Sequence, residues 1–195
     1  CRDWLRWRMR LIPYLHAAFV RYSREGVPPF RALVMDYPED PGTWVVDDQY
    51  LIGENLLVAP VTAGNSQREV YLPKGEWFDF WTNEPLKGER KISVQVPLDR
   101  IPVYVRGGSL LPLADVTLHT ADPASRQITV QVYGKGNLPC ALFEDEGTTW
   151  DFAKGVINQL DLKWDSTTGK GSATRSGTAT VPPYEIKEWK KITGD

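Results

Sequence analysis

From residue 54 onward the chain consists of short β-branched and aromatic runs, at 56–61, 69–72, 92–96 and 102–105, punctuated by turn-forming stretches such as PKGEW and TNEPLKG. Runs this short, each closed by Gly, Pro or Asn, specify a small antiparallel β domain. A second series follows, QITVQVYG, CALFEDEG, GVINQLDLKW and YEIKEWKKI, separated by DPAS and by DSTTGKGSATRSG. It predicts another β-sandwich, with 165–177 a flexible hairpin or loop and the boundary between the two units near 114–126.

The first fifty residues have a different texture. Between Asp3 and about Arg24, apolar residues recur at helical spacing (Trp4, Trp7, Leu11, Leu15, Ala18, Tyr22) while arginines take the other face. This predicts one long amphipathic helix, kinked at Pro13 and capped by Gly26. Next, PPFRALVMDY (28–37) reads as a buried strand and PEDPG (38–42) as a loop. Asp47 or Asp48 is placed to cap a short helix over QYLIG, giving oxygen acceptors to its free amides. A long helix, a buried strand and an acid-rich loop together have the form of the last turn of an α/β barrel. One such unit cannot close a barrel, and without neighbours its Trp4 to Tyr22 stripe would be bare and favour association.

Composition excludes several function classes. A net charge of -2 and a pI near 5.8 argue against a nucleic-acid partner, which demands a concentrated basic face. Arg2, Arg6, Arg8 and Arg10 are the one basic cluster and fit the polar face of the helix, or a contact with something outside the chain. No apolar run approaches the ~20 residues of a membrane span. Two cysteines, Cys1 and Cys140, are too few for a disulfide framework and lack any metal-ligand spacing, so both read as ordinary thiols. A start on Cys with no initiator Met predicts the tail of a longer polypeptide rather than a lipid-anchored terminus.

The candidates for chemistry are carboxylates. His16 and His119 are the only histidines, and no GxSxG, HExxH or phosphate loop occurs, so triads, zinc sites and cofactor sites are not expected. A glycosidase needs two carboxyl groups flanking its bond. Asp36, Glu39, Asp40, Asp47 and Asp48 supply acids on a loop, although capping and stiffening that loop explains them more economically. FEDEG (143–147) has oxygens for calcium but not the alternate spacing of a calcium loop, so an acidic hairpin turn is expected there. Of eight tryptophans, Trp44 in the acid loop is the candidate sugar platform, and the others read as core.

The succession RLIPYL (10–15), RALVMDYPEDP (31–41), DDQYLIGENLLVAPV (47–61), VYLPKGEWFDFWTNE (70–84) and PLDRIPVYVRGGSLLPL (97–113) closely resembles the C-terminal part of family 31 glycoside hydrolases, the retaining α-glucosidases, α-xylosidases and relatives. CALFEDEGTTWDFAKG continues it as the family's distal β domain. The resemblance implies a mainly β chain: 1–53 the end of a (β/α)8 barrel with one helix and strand eight, 54–114 a proximal sandwich, 115–195 a distal one. It also implies that YLPKGEWFDFW is a strand pair and turn, and that DDQYLIGENLLVAPV is the junction between barrel and sandwich. In the family the nucleophile and acid/base aspartates follow strands four and six, and a sugar-binding histidine follows strand seven. All would precede position 1, so no catalytic residue is expected within the chain. The expected partners are the rest of the enzyme and its α-linked oligosaccharide substrate. Alternatives are a transglucosidase of the same family, a carbohydrate-binding module, or a purely structural one.

Overall fold

The computed structural model describes residues 2–61, 66–135 and 140–192, so Cys1 lies outside the described residues. Helix α1 spans Arg2–Glu25 and ends where Gly26, at φ +73°, donates its N–H to the Tyr22 carbonyl. A positive φ is open to glycine at little cost, which explains the stop at this point.

The stretch 28–37 is not one buried strand. Only Phe30–Arg31 (β1) is extended, and Leu33–Asp36 then winds into a single helical turn, α2. Segment 49–53 departs from expectation in the opposite sense. Instead of a helix it forms strand β2, Tyr50–Ile52, antiparallel to β1 and to β3, Leu56–Val58. Leu51 points into one core while Tyr50 and Ile52 pack on another, a period of two that a helix could not satisfy.

The remaining strands are β4 (Gln67–Leu72), β5 (Glu76–Asp79), β6 (Pro85–Lys87), β7 (Arg90–Gln95), β8 (Val103–Arg106), β9 (Leu110–Ala114), β10 (Gln127–Tyr133), β11 (Cys140–Glu144), β12 (Asn158–Asp165), β13 (Lys170–Gly177) and β14 (Glu185–Ile192). One sheet has the order β1-β2-β3-β8-β5-β6, and β4 pairs with β7 separately. The stretch YLPKGEWFDFW is therefore not a strand pair, since its two strands, β4 and β5, lie in different sheets. Two further sheets are β14-β10-β9 and β11-β12-β13. Most ladders are antiparallel, with one departure: β10 and β14 run parallel from Gln127/Glu185 to Tyr133/Ile192. The Gly/Ser/Thr-rich stretch forms the ordered hairpin arm β13, paired with β12 from Asn158/Gly177 to Asp165/Lys170.

Alternation along the strands divides the interior into three cores. Leu56, Val58, Phe78, Val103 and Val105 face α1, which contributes Tyr14, Trp7 and Leu11. Leu57, Trp77 and Tyr104, on the opposite face of the same sheet, meet Val70 and Leu72 of β4. The third core lies between the two three-stranded sheets, around Ile128, Val130, Leu160 and Leu162. Strand β9 serves two cores: Leu110 and Ala114 join the third, while Leu111 and Leu113 join the α1 core. The helix stripe divides accordingly. Trp7 stacks edge-on against Phe80 and Trp81, whereas Leu5, Phe19 and Tyr22 stay exposed.

Candidate functional site

The acid-rich segment 36–48 begins at the last residue of α2, just after β1, and returns into β2, which pairs with β1. Its acids are engaged one after another. Asp36 takes a forked pair of bonds from Arg31, at 2.5 Å from Nε and 2.6 Å from Nη2, and the Arg31 side chain is only 3% exposed. A guanidinium buried that deeply requires a planar anionic partner, and Asp36 provides it. Asp40 caps the 3-10 turn Pro41–Thr43 through the Gly42 N–H at 3.0 Å. The Tyr71 hydroxyl reaches across from β4 to donate to the same carboxylate at 2.8 Å. Burial first, and the bond to Asp40 second, push the Tyr71 phenol up to about 12. Gly42 allows this approach, because a Cβ there would lie 2.3 Å from the Tyr71 ring.

Asp48 does not cap a helix. It meets Arg68 Nη1 at 2.7 Å, while Arg68 also donates to the Asp48 and Pro60 carbonyls. The hydrogen bond from Arg68 is the main reason the Asp48 carboxyl is held below its usual range. Beside it the buried Gln49 acts like a strand residue in side-chain form, donating to the Tyr71 carbonyl at 2.9 Å and accepting the Tyr71 N–H at 2.8 Å. Glu39 and Asp47 are exposed. Trp44 is 63% exposed, its indole N–H bonded to the Pro38 carbonyl at 2.9 Å, with Val45 and Met35 also bare nearby in sequence. Three of the five acids, Asp36, Asp40 and Asp48, are thus held by partners within the chain. The arrangement secures a loop and leaves one flat indole in solvent.

The second acidic segment, 143–147, is used differently. Glu144 is 1% exposed and accepts from the Tyr184 N–H at 2.7 Å, Arg175 at 3.2 Å and Asn158 Nδ2 at 3.3 Å. Asp145 pairs with His16 of α1 at 3.5 Å, joining helix to strand. Among the described residues no cluster of three or more His, Cys, Asp or Glu could hold a metal ion. His119 lies exposed in the 115–122 connection.

The acid partners Tyr71 and Arg68 were not legible in the sequence. They lie 31 residues from Asp40 and 20 from Asp48, and such long-range pairings leave no local signal. The one usable hint was Gly42, a small residue beside a capping Asp.

These features define a mainly β chain of several mostly antiparallel sheets packed against one long helix. Residues 26–111 match the glycosyl hydrolase family 31 C-terminal domain. The alpha-xylosidase of Saccharolobus solfataricus is 38% identical over 165 residues, 83% of this chain and 22% of the relative. Alpha-glucosidase 2 of Bacillus thermoamyloliquefaciens is 33% identical over 79% of the chain and 20% of the relative. The crystal structure of the family 31 alpha-xylosidase of Xanthomonas citri superposes on 97% of the chain with a TM-score of 0.88 at 32% identity, using 21% of that enzyme. The chain belongs to glycoside hydrolase family 31. It spans about a fifth of the length of each of these relatives.

Proposed function

We propose that the chain is the C-terminal support of a retaining α-glycosidase that cleaves α-xylosides or α-glucosides, and that it is not catalytic by itself. The observation that carries this reading is the 97% superposition on an alpha-xylosidase of nearly five times its length. On this reading 1–53 is the end of the catalytic barrel, 54–114 a proximal sandwich and 115–195 a distal one, with β1 and β2 running on into the sheet of the proximal unit and β9 pairing with the distal one. The exposed Leu5, Phe19 and Tyr22 of α1 and Phe30 of β1 form the face against which the rest of the barrel packs.

Cleavage by such an enzyme proceeds by double displacement through a glycosyl-aspartate, with a second carboxyl group acting first as acid and then as base. The engaged state of Asp36, Asp40 and Asp48 supports placing both of those groups outside this chain. The chain's own contribution is to hold the loop that presents Trp44. Turnover of aryl α-xyloside and aryl α-glucoside, by the 195-residue chain and by a form extended upstream through the barrel, tests the reading. Activity in the extended form alone is the expected result, and release of free sugar rather than transfer products separates hydrolase from transglucosidase.

A second reading, a glycan-binding module, is favoured by Trp150, which is 79% exposed and lies 5.6 Å from the Phe152 ring. Saturable maltooligosaccharide binding that disappears in Trp150→Ala would support it.

A further inference from the structure

A cavity of about 240 Å³ opens between the C-terminal half of α1, the segment 27–31 that leads into β1, the β2–β3 turn at 53–55 and the edge formed by β11 and β12. The helix side is low because Ala17 and Ala18 face it, and Val27, Pro28 and Phe143 extend this apolar wall. Pro29 and Ala141 add to the apolar lining, and the rest is largely polar and charged. Arg21 bonds Glu25 at 2.7 Å and also meets Glu54, Arg24 reaches Gln159 at 3.4 Å, and Arg31 is neutralised by Asp36. Asn55 also lines the cavity and is 3% exposed. Its Nδ2 donates to the Leu110 carbonyl, but its Oδ1 has no partner among the described residues. Buried acceptors are seldom left unpaired, and one that is calls for an explanation such as a water or a ligand group.

The lining selects a chemical class. Arg21 is shared by Glu25 and Glu54, Arg31 is neutralised from behind the lining by Asp36, and Arg24 is held by the neutral Gln159 and the Phe143 ring, so these six charged groups together carry no net charge. Burial keeps the Cys140 thiol neutral by pushing it up to about 12. Guanidinium donors and carboxylate or amide acceptors side by side suit a molecule whose every polar group both donates and accepts, which is the property of a hydroxyl. The opposite wall suits the C–H face of a ring. The volume falls below the ~300 Å³ at which sites for drug-sized ligands begin.

We propose that this cavity binds one neutral polyhydroxylated ring, an aldopyranose, with Arg21, Glu54 and Asn55 bonding its hydroxyl groups. The inference does not depend on what the missing part of the enzyme catalyses, because none of these residues belongs to the 36–48 loop.

The test uses the full-length protein with D-xylose and D-glucose as probes. Hydrogen exchange is followed at 14–31, 53–55 and 140–143, together with the rate at which a small maleimide labels Cys140. The expected result is saturable protection of these segments and slower labelling, with affinity weakened at least about tenfold in both Ala18→Phe, which fills the cavity, and Arg21→Met, which removes the donors. Should Ala18→Phe fail to fold, Arg21→Met, altering a side chain at the mouth of the cavity, decides. Unchanged exchange and labelling at saturating sugar overturn the proposal. So does protection that persists undiminished in a folded variant, and so does tighter binding of inorganic phosphate than of either sugar.

Discussion

The two acid-rich segments, 36–48 and 143–147, are alike in composition but fixed in different ways. In the first, each engaged carboxylate sits at the surface edge and reaches a partner on another element: Asp36 to Arg31, Asp40 to Tyr71, Asp48 to Arg68. In the second, a single fully buried carboxylate, Glu144, gathers three donors from β12, β13 and the segment before β14. A loop that must keep its shape while staying in solvent uses several separate anchors, of which the Arg31–Asp36 pair is the most buried. A strand end inside a sandwich concentrates its polar requirement on one group, because every buried donor there has to be answered.

That contrast can be broken at its strongest point first. Asp36→Asn leaves the buried Arg31 charge without its counter-ion and should destabilise the chain by about 3–5 kcal/mol, measured by urea unfolding. A loss under about 1 kcal/mol would mean that Arg31 finds water or another acid. Glu144→Leu removes the acceptor of the Tyr184 N–H and of Arg175, and is expected to cost about 3 kcal/mol. Its effect should appear as faster hydrogen exchange in β12 and β13, leaving the 36–48 loop unchanged.

Asp48 sharpens the comparison by its pH dependence. Its folded-state value is depressed by Arg68, so its contribution is present above the unfolded value near ~3.9 and is lost as pH falls through the folded value. Its side chain is 57% exposed, so after solvent screening the pair contributes less than about 1 kcal/mol. Asp48→Asn should therefore be slightly less stable than the parent at neutral pH, with the gap closing in strong acid. Trp44→Ala stands at the small end: with the indole in solvent, stability should change by no more than about 0.5 kcal/mol. A rise in KM in the full-length enzyme without a change in Tm would then identify Trp44 as a sugar platform.

What the sequence made legible followed from periodicity. The helix read over 3–24 is observed at Arg2–Glu25, and the runs at 56–61, 69–72, 92–96 and 102–105 each overlap a strand. The failures share one cause. In 28–37 and 47–53 local propensity competed with burial. FRALVMD has the apolar run of a strand, yet α2 turns so that Leu33 fills the core while Asp36 returns to Arg31. QYLIG has helix-compatible residues behind capping acids, yet Leu51 and Gln49 are both buried by pairing and cross-strand bonds. The parallel β10–β14 pair was equally invisible, because a ladder between residues more than fifty positions apart has no local signature. At the acid loop, the sequence identified the acids but not their partners, and the partners decide whether a carboxylate is free to react.

The central claim is that the acids of 36–48 hold structure and do no chemistry. The most direct test is kcat for an aryl α-xyloside in the full-length enzyme carrying Asp40→Ala, measured well below its melting temperature alongside the parent. Asp40 is the choice because its loss removes a cap and the Tyr71 bond without stranding a buried charge. The account predicts kcat within about threefold of the parent and a lower Tm, as for loss of a cap. A fall of about a thousandfold or more at unchanged Tm would make Asp40 a catalytic group and contradict it.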